Sequence, residues 1–586
     1  VEGCATRVCA ADGSLTLTAV ATLGGYAFTA WKTVDDEIYS EDNPLVISAP
    51  GAGTTTLKAF FGKEALTYTF DLGVCGAFDV SGTSTTNITV TPGAAFEVPA
   101  YTLADGYEFR RWNPELSAVA GDIDQAFDVV CAARESFVGP DEDLAAALEL
   151  AGTYSGAATV TLLAGTHQLT EAVTIPANVR LVGADGSELK TDSSKFILDN
   201  TVLAAQAVTT EIENVTFVGG GVTLGSRQVR FIDCVFTNAT VKGADAAVLT
   251  DTNAWFVGCS FFANKSAYRR TNGDDTPTCF NDCTFRGNGL NTGSTVVYAQ
   301  RTPLVISNCV FAANETTSGI LIDTYGSSLS VRSCTFADNV ASSAWTLLRC
   351  AKDTSGQSIV DSLFINNTVG GDSKAADWST LISGPSWWIN SSSEALLRIE
   401  GCSFVSNVVA KSGAVDTEIA CSIIQYENGC LPGVINCVFE GNRLVARQTG
   451  GSGKIVASVL PVRVGKYDTA ICNNTFIRNE AADGTIYVSA VEEKALGVFN
   501  CVFEEMDGNP SLGFSDSAVA TVKMWGCVVD ELDDARASYE HCDNPDLSWK
   551  TGLLKVAGRL IRPFEPVSKV RAVAYPSVVG ANGIVA

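Results

Sequence analysis

One hexapeptide pattern, Cys-x-Phe-x-x-Asn, recurs along much of the chain and restricts its possible folds more than any other feature. The fullest copies read CSFFAN, CTFRGN, CVFAAN, CTFADN, SLFINN, CSFVSN, CVFEGN and NTFIRN. Their central residues are Phe261, Phe285, Phe311, Phe336, Phe364, Phe404, Phe439 and Phe476, with less complete copies at Phe217, Phe236, Phe503 and Val529. Successive copies lie 19 to 40 residues apart, most often near 25. This period predicts a solenoid, in which each repeat stacks on its neighbours.

The residues between the hexapeptides indicate which kind of solenoid the chain forms. A leucine-rich repeat needs several leucines per unit, and these units lack them. They contain short β-type runs such as VVYAQ, LVISN, GILID and LSVRS, separated by Gly, Asn and Ser turns. Three short strands per repeat, each stacked on the equivalent strand of the next repeat, describe a parallel β-helix.

The spacing inside the hexapeptide predicts which side chains face inward. Cys and Phe lie two positions apart, so both point to one side of a strand, which we assign to the interior. The Asn falls in a turn, where asparagine tolerates left-handed backbone angles and bonds neighbouring backbone groups. We expect these residues to form an asparagine ladder from coil to coil: Asn264, Asn288, Asn314, Asn339, Asn367, Asn407, Asn442 and Asn479.

The chain has 19 cysteines, a number that usually indicates disulfides in an oxidising compartment. Nine of them begin hexapeptides, where coils stacked about 4.8 Å apart give poor disulfide geometry. With only two histidines and no Cys-x-x-Cys pair in the chain, we expect no metal site. Disulfides are more plausible among Cys4, Cys9, Cys75 and Cys131. The nine are expected to be mostly buried, reduced thiols that pack as small hydrophobic side chains: Cys234, Cys259, Cys283, Cys309, Cys334, Cys402, Cys437, Cys501 and Cys527.

The N-terminal part of the chain carries a different pattern. Gly-Tyr-x-Phe-x-x-Trp occurs at 25–31 and again at 106–112, and aromatic residues at this spacing suit a small β-module with one packed face. With the closing runs TTTLKAFF and AFDVVCAA, both copies resemble the divergent internalin-type B-repeat of bacterial surface proteins, a small β-grasp-like module. The resemblance implies a bacterial surface or secreted protein.

Between these modules and the repeats, PDEDL followed by AAALELAGT predicts a short helix that caps the first coil. Its apolar stripe is Leu144, Ala147, Leu148 and Ala151. Residues 160–190 then resemble the opening coil of the pectin-lyase-like β-helix superfamily, in the cadence L-x-x-G-T-x-x-L followed by I-P-x-N-V-x-L-x-G. That resemblance identifies the fold and leaves the activity open, because the superfamily contains enzymes, adhesins and stalks.

These patterns predict an all-β chain: a right-handed parallel β-helix of about 12 coils, preceded by two small β-modules and a short capping helix. The tail is apolar, and it either caps the last coil or pairs as a strand with another subunit. The expected domains are two B-repeat-like modules at 1–75 and 76–135, a linker and capping helix at 136–157, the β-helix at 158–545, and a C-terminal cap or tail at 546–586.

The formal net charge is −26 at pH 7, which opposes binding to nucleic acid or to anionic lipid. No apolar run reaches the roughly 18 residues of a membrane-spanning helix. The sequence begins at Val1 without a signal peptide, so we expect a processed form of a secreted protein, extracellular or at the cell surface. No cofactor is expected.

Catalytic motifs are not recognisable. His167 and His541 lie too far apart to cooperate, and we expect both to be structural. The N-T-D, D-D, G-H-G and R-I-K segments of polygalacturonase-like members of the superfamily are not assembled here. The densest charged cluster, in YRRTNGDD, contains Arg269, Arg270, Asp274 and Asp275. We interpret it as a turn with compensating surface charges rather than as a calcium-dependent lyase site.

Three consecutive repeats between Phe364 and Phe476 are 40, 35 and 37 residues long, so loops inserted in adjacent coils could gather on one side. The first insertion contains Trp378, Trp387 and Trp388. Exposed tryptophans stack on sugar rings or anchor protein interfaces. Packing of the loop onto the β-helix is the alternative for these three residues.

We therefore expect a non-enzymatic extracellular surface protein, either an adhesin or a structural stalk or fibre subunit that could self-associate into filaments. Its partners would be further copies of the chain, a glycan, or a host or cell-surface protein. Two alternatives stay open. One is a polysaccharide lyase or glycoside hydrolase acting on acidic glycans, which rests on fold analogy. The other is a carbohydrate-binding protein without catalysis.

Overall fold

The computed structural model forms two compact units, residues 1–135 with 153–158 and residues 136–152 with 159–586. The structure describes residues 5–561 except 10–12, 24–25, 36, 49–55, 64, 122, 192–195, 200–208, 226–227, 240–245, 251–253, 272–275, 290–294, 318, 343–345, 351–356, 372–378, 385–395, 426–430, 465–468, 491–494, 500, 505–508, 516–520, 526, 528, 530–536, 541–553 and 557–558.

The first unit begins with two small sheets whose strands pair antiparallel. Around the first aromatic motif, Trp31 is buried and its indole N–H donates to the Asp42 carbonyl at 3.0 Å. The Phe28 ring packs against Trp31, and Phe61 meets Phe28 edge-on. The three-stranded sheet contains Ala5–Cys9, Leu15–Ala19 and Leu45–Ile47, and the four-stranded sheet contains Thr22–Leu23, Tyr26–Lys32, Ile38–Ser40 and Lys58–Lys63.

A second core in the same unit surrounds the second aromatic motif. Phe70 stacks on Phe127 with ring centroids 5.0 Å apart and meets Trp112 edge-on at 5.2 Å. The strand Leu66–Asp71 pairs with Thr85–Val90 and with Gln125–Ala133 in the sheet around this core. The sheet therefore includes residues that precede the expected module boundary between residues 75 and 76. The strands are Thr85–Val90, Leu66–Asp71, Gln125–Ala133 and Tyr107–Asn113, with a pair formed by Gly76–Phe78 and Tyr101–Leu103 and the short 3-10 helix Gly73–Cys75.

The first helix of the second unit is the α-helix Leu144–Gly152. Its buried residues, Leu144, Leu148 and Ala151, belong to the apolar stripe seen in the sequence. The helix contacts the strand Val179–Gly183. It therefore lies over one of the first coils of the β-helix.

The rest of this unit is a right-handed parallel β-helix, as the sequence predicts. The coils stack their strands into three long parallel sheets of 16, 13 and 10 strands. The first sheet contains Glu135–Val138, Ala158–Leu162, Val179–Gly183, Thr210–Glu213, Val229–Ile232, Ala254–Val257, Thr278–Asn281, Leu304–Ser307, Leu329–Arg332, Gln357–Val360, Leu396–Glu400, Leu431–Ile435, Thr469–Cys472, Ala495–Phe499, Thr521–Trp525 and Ala537–Glu540.

The second sheet carries the hexapeptides. It contains Gly165–Gln168, Ser187–Lys190, Thr216–Val218, Val235–Thr237, Ser260–Phe262, Thr284–Arg286, Val310–Ala312, Thr335–Ala337, Leu363–Ile365, Ser403–Val405, Val438–Glu440, Thr475–Ile477 and Val502–Glu504. The third sheet contains Phe196–Asp199, Gly221–Leu224, Val248–Thr250, Tyr268–Arg270, Val297–Gln300, Ile322–Tyr325, Thr346–Arg349, Ser379–Ser383, Ile419–Gln425 and Ile455–Ser458.

Shorter sheets fill the corners between these three. Where the long repeats occur, Val408–Ala414 pairs in register with Arg443–Gly450, so extra residues of two adjacent coils stack on each other. The five-stranded sheet contains Glu315–Thr316, Val340–Ala341, Thr368–Gly371, Val408–Ala414 and Arg443–Gly450. Leu460–Val464, Ile486–Ala490 and Leu512–Phe514 form a further sheet, and Leu554–Val556 pairs with Arg559–Ile561.

Stacked phenylalanines fill the interior beneath the second sheet. From Phe217 to Phe503, successive hexapeptide rings lie 4.3 to 4.9 Å apart and within 13° of parallel. Burying a side chain of this size contributes roughly 1.5–3 kcal/mol. The repeat therefore supplies a continuous apolar column.

The predicted asparagine ladder runs beside this column, and its members are buried. The side-chain amide of Asn264 donates to the Phe236 carbonyl at 2.9 Å and to Oδ1 of Asn288 at 3.0 Å. The backbone N–H of Asn264 donates to the same Oδ1 at 3.1 Å. This pattern repeats as far as Asn442, whose amide donates to the Phe404 carbonyl and to Oδ1 of Asn479, so each of these side chains joins its coil to both neighbouring coils.

The left-handed corners do not lie at the ladder asparagines, contrary to the expectation from the sequence. They occur one residue earlier, as at Asp338 (φ 54°) before Asn339. A second corner precedes the first hexapeptide position, as at Asn308 (φ 54°) before Cys309.

The nine hexapeptide cysteines form a buried column at the other end of the same strands. The N–H of Cys309 donates to Sγ of Cys334 at 3.4 Å, and the N–H of Cys334 donates to Oγ of Ser362 at 3.1 Å. The N–H of Cys437 likewise donates to Oδ1 of Asn474 at 2.8 Å. Cys, Ser and Asn are interchangeable here because the position needs a small side chain with a hydrogen-bond acceptor.

Candidate functional site

The outer face of the third sheet carries charged and aromatic residues on four consecutive coils. Arg269 lies opposite Tyr298, Tyr298 opposite Asp323, and Asp323 opposite Arg349. The residues flanking Arg269 on its strand, Tyr268 and Arg270, are buried. The parallel register therefore aligns four outward side chains, which we call the Arg269–Arg349 row.

At one end of the row, Asp323 and Arg349 form a two-pronged ion pair. Nε of Arg349 lies 2.6 Å from one carboxylate oxygen of Asp323, and its terminal nitrogen lies 2.6 Å from the other. The Asp323 side chain is 6% exposed and that of Arg349 is 27% exposed. Such planar pairing fixes the guanidinium orientation.

Two tyrosines accompany the two arginines. The Arg269 guanidinium lies 5.3 Å from the centre of the Tyr298 ring, and that of Arg349 lies 5.4 Å from the centre of the Tyr325 ring. Tyr325 is 46% exposed and follows Asp323 by two positions on the same strand. Cation–π contacts of this length hold the long arginine side chains against aromatic surface.

Burial shifts the pKa of two groups in the row. Desolvation raises the pKa of the Asp323 carboxyl, and the Arg349 guanidinium opposes this shift. Desolvation, followed by the negative charge of Asp323, raises the pKa of Tyr298. Tyr298 therefore keeps its hydroxyl proton at neutral pH and serves as a hydrogen-bond donor rather than as a base.

The row provides binding groups more clearly than a catalytic pair. Glycoside hydrolysis uses two carboxyl groups about 5–9.5 Å apart. The other carboxylate on this line of described residues is Asp199, reached from Asp323 through Tyr298, Arg269, Leu249 and Thr223. Five strand spacings of about 4.8 Å separate the two by about 24 Å.

The structure corrects the interpretation of the YRRTNGDD segment. Arg269 and Arg270 lie on the strand Tyr268–Arg270 rather than in a turn. Arg270 is completely buried and donates to the Thr276 carbonyl at 3.2 Å, so it is not a surface charge. Asp274 and Asp275 lie outside the described residues.

The other candidate residues are not brought to this row. His167 is buried, and its Nε2 lies 3.0 Å from the Leu163 carbonyl. Trp378, Trp387, Trp388 and His541 lie outside the described residues. The ladder asparagines and hexapeptide thiols face the interior.

Sequence reasoning missed the Arg269–Arg349 row because its period is irregular. Arg269 follows Phe261 by 8 residues, whereas Asp323 follows Phe311 by 12. Because the corner loops differ in length, these residues are unevenly spaced in the sequence, although strand pairing places them at equivalent positions. Aligning the runs AYRR, VVYAQ, LIDTY and TLLRC on their buried positions would have found it.

No group of three or more His, Cys, Asp and Glu side chains among the described residues is arranged to hold a metal ion. None of the helices in the described ranges combines the length and apolarity required to cross a membrane.

Comparison with known proteins gives structural matches alone. No family model matches the sequence, and no curated protein matches it. Tailspike protein 3 of bacteriophage CBA120 is 12% identical over 70% of this chain, with a TM-score of 0.30, and the match spans 61% of the tailspike chain. The catalytic domain of a GH87 alpha-1,3-glucanase is 12% identical, over 89% of this chain and 87% of its own, with a TM-score of 0.32.

A Yersinia enterocolitica family 28 exopolygalacturonase is 10% identical over 78% of this chain and 85% of its own, with a TM-score of 0.26. Alginate lyases and an alginate epimerase are also among the matched structures. The parallel sheets place this chain in the class of parallel β-helix proteins. Likeness at this level does not assign it an activity.

Proposed function

We propose that this chain is a non-catalytic, extracellular carbohydrate-binding protein of the adhesin type, and that the Arg269–Arg349 row binds the saccharide. The observation that carries the proposal is the alignment of two arginines and two tyrosines on consecutive coils around a carboxylate that is already ion-paired. Aromatic faces and guanidinium groups are the side chains that stack on sugar rings and bond their hydroxyl or carboxylate groups.

The dimensions of the row suit an oligosaccharide. Three strand spacings, about 14–15 Å in all, separate Arg269 from Arg349. Two coils beyond Arg349 the same line reaches Gln425, which is half-buried. A ligand lying along the stack from Arg269 to Arg349 would meet a polar or aromatic side chain at each coil.

Local charge favours an acidic ligand. The row contains two arginines and one aspartate, whereas the whole chain carries a formal charge of −26. A local cationic site on an acidic surface orients an anion toward one place and repels it elsewhere. Arg269, whose charge is not tied to Asp323, is the residue that we assign to an anionic group of the saccharide.

A glycan array probed with the intact chain tests this proposal, followed by affinity measurements on the best saccharide. We expect Arg269→Ala and Tyr298→Ala each to weaken binding about tenfold or more, the scale of an energetically important contact. The control is Arg398→Ala, which removes an arginine from the outer face of the first sheet, where it pairs with Glu400. Equal loss in all three variants, or no loss in any, would refute the assignment.

The second candidate is a polysaccharide lyase or glycoside hydrolase. The raised pKa of Asp323 favours it, since general acids commonly have raised pKa values. Its ion pair with Arg349 opposes it, because the carboxylate oxygens are held in place. Incubation with pectin and alginate panels, with and without calcium, tests this alternative. Products that disappear in Asp323→Asn would establish it.

We also propose that residues 5–133 form two B-repeat-like modules that join the β-helix to a surface or to another copy of the chain. The parallel environments of Trp31 and Trp112, each packed with the phenylalanine three positions earlier, support this relation. If the modules join copies of the chain, the protein should form filaments, which electron microscopy of the native material would show. Monomers at high concentration would refute this self-association.

The tryptophan insertion remains a proposed second contact for glycans or proteins. Replacing Trp387 and Trp388 by alanine should weaken binding if the insertion reaches the ligand. Unchanged affinity would remove it from the binding surface.

A further inference from the structure

The outer face of the first sheet carries another line of charged and aromatic residues, on strands near the beginning of the β-helix. Glu211 lies opposite Arg230, and Arg230 lies opposite Trp255 on the next coil. The neighbouring positions on each of these strands are buried, so the three side chains point outward. Together with Arg180 and Glu213, they form what we call the Arg180–Trp255 strip.

One arginine holds both glutamates of the strip. Nε of Arg180 lies 2.9 Å from Oε1 of Glu211, and a terminal nitrogen of the same guanidinium contacts Glu213. The glutamates are two positions apart on the strand Thr210–Glu213, so both face outward. The side chain of Arg180 is 44% exposed, and those of Glu211 and Glu213 are 30% and 31% exposed. The two carboxylates are therefore fixed in orientation while they stay open to solvent.

The second arginine of the strip is held less closely. Nη1 of Arg230 lies 3.8 Å from Oε2 of Glu211, which is beyond hydrogen-bonding distance. A hydroxyl oxygen can lie about 2.8 Å from both atoms, where it accepts from the guanidinium and donates to the carboxylate. Sugar hydroxyls have this double capacity, whereas a carboxylate ligand only accepts. The gap therefore suits a hydroxyl group better than an anion.

Apolar surface lies beside these polar groups. Trp255 is half-buried on the coil that follows Arg230. On the same two strands Ile232 lies opposite Val257, and both are half-buried on the outer face. A sugar ring can stack its apolar face on the indole. The hydroxyls at the edge of that ring would then reach Arg230 and Glu211.

The charges of the strip balance. Its two arginines and two glutamates leave no net charge, whereas the Arg269–Arg349 row has one positive charge in excess. We propose that the Arg180–Trp255 strip is a second saccharide site, selective for neutral oligosaccharides. Three strand spacings, about 14–15 Å in all, separate Arg180 from Trp255. This site does not depend on the Arg269–Arg349 row, and with both sites one chain would hold a neutral and an acidic glycan together.

The test titrates the full chain with neutral hexasaccharides of glucose, mannose and galactose, and separately with alginate fragments. We expect saturable binding of at least one neutral hexasaccharide. Trp255→Ala should weaken it about tenfold or more, and Glu211→Ala about fivefold, the scale of one hydrogen bond. Trp255→Phe should lose less than Trp255→Ala, because it keeps an aromatic face. Absence of saturable binding for every neutral hexasaccharide would overturn the proposal.

Glu440→Ala is the matched control, because Glu440 of the second sheet forms a similarly exposed ion pair with Arg478. Ion pairs this exposed add little to stability, so both glutamate variants should melt as wild type does. Arg269→Ala should bind the neutral hexasaccharide with unchanged affinity. A loss in Glu440→Ala or Arg269→Ala as large as that in Trp255→Ala would overturn the strip as the site. Displacement of the neutral hexasaccharide by alginate fragments would overturn it as well, since it would show a single shared site.

Discussion

The side-chain amide of Asn314 donates to Oδ1 of Asn339 at 2.8 Å, and the backbone N–H of Asn314 donates to the same oxygen at 3.1 Å. The second amide hydrogen of Asn314 goes to the Phe285 carbonyl at 3.0 Å, while its own Oδ1 accepts two bonds from Asn288. All the polar atoms of this buried side chain are thus paired. A slip in register between coils would leave several of them without partners, at about 1–3 kcal/mol each.

Replacing the amide in this ladder should be costly, even by a side chain of the same shape. Asn314→Asp removes two donors and places a carboxylate against Oδ1 of Asn339, so we expect a loss of at least about 3 kcal/mol in unfolding free energy at pH 7. Denaturant titration measures it. Asn308→Asp is the matched control, because Asn308 is exposed and left-handed. Similar losses in both variants would contradict the role of the ladder.

The thiol column should tolerate serine better than alanine. In Cys309→Ser the hydroxyl can accept from the Cys283 N–H, as Ser362 accepts from Cys334. In Cys309→Ala that buried N–H loses its acceptor, which costs about 1–3 kcal/mol. We expect the serine variant to lose less than about 1 kcal/mol. Denaturation midpoints of the two variants decide, and greater stability of the alanine variant would count against this account.

Much of the fold could be predicted because the repeat encodes burial and hydrogen bonding together. In every full copy the Phe and the Asn are three positions apart, as at Phe311 and Asn314. The stacking of each of them on its equivalent in the next coil therefore follows from the repeat period alone. The corner residues escaped prediction because Asp338, Gly441 and Ala313 share a backbone angle rather than a residue type.

The binding row escaped prediction for a different reason. Its members are brought into line by strand pairing across corners of unequal length, and this pairing is a tertiary property. The Asp323–Arg349 contact joins residues 26 positions apart, and no local pattern marks it. The sequence pointed instead to tryptophans in the longest insertion.

Thiol alkylation in the native protein should follow burial. Burial raises the pKa of Cys309 and Cys402 well above the ordinary value, and both are enclosed. Cys279 and Cys472 are half-buried, and burial raises the pKa of each. We expect iodoacetamide to modify Cys279 and Cys472 slowly and to reach Cys309 and Cys402 after unfolding, as measured by time-resolved peptide mass spectrometry. Early labelling of Cys309 and Cys402 would show that the thiol column is open to solvent.

Saccharide affinity should depend on pH through Asp323. Its folded-state pKa is raised, so protonation begins above the ordinary range near 3.9. Protonation releases the Arg349 guanidinium from its counter-charge, and affinity for an anionic saccharide should rise as the pH falls into this window. Asp323→Asn should bind as tightly at pH 7 as wild type does in acid. Calorimetric titration measures both, and a flat wild-type profile would contradict the model.

The raised pKa of Asp323 also makes stability depend on pH. The folded state binds the carboxyl proton of Asp323 more tightly than the unfolded chain does. The free energy of unfolding therefore falls as the pH rises from the unfolded pKa of this carboxyl through its folded pKa. Arg349→Ala leaves Asp323 buried without its partner and should cost about 3–5 kcal/mol at pH 7. The loss should shrink in acid. A pH-independent loss would show that the cost comes from packing rather than charge.

On this account, the Arg269–Arg349 row binds a saccharide without cleaving it. The most direct measurement incubates the chain with the best array saccharide and records both affinity and product, as reducing ends and unsaturated uronate absorbance. We predict saturable binding that Arg269→Ala weakens, with no product above the level of a heat-denatured control. Product formed by wild type and lost in Asp323→Asn would contradict the claim and establish a polysaccharide-cleaving enzyme.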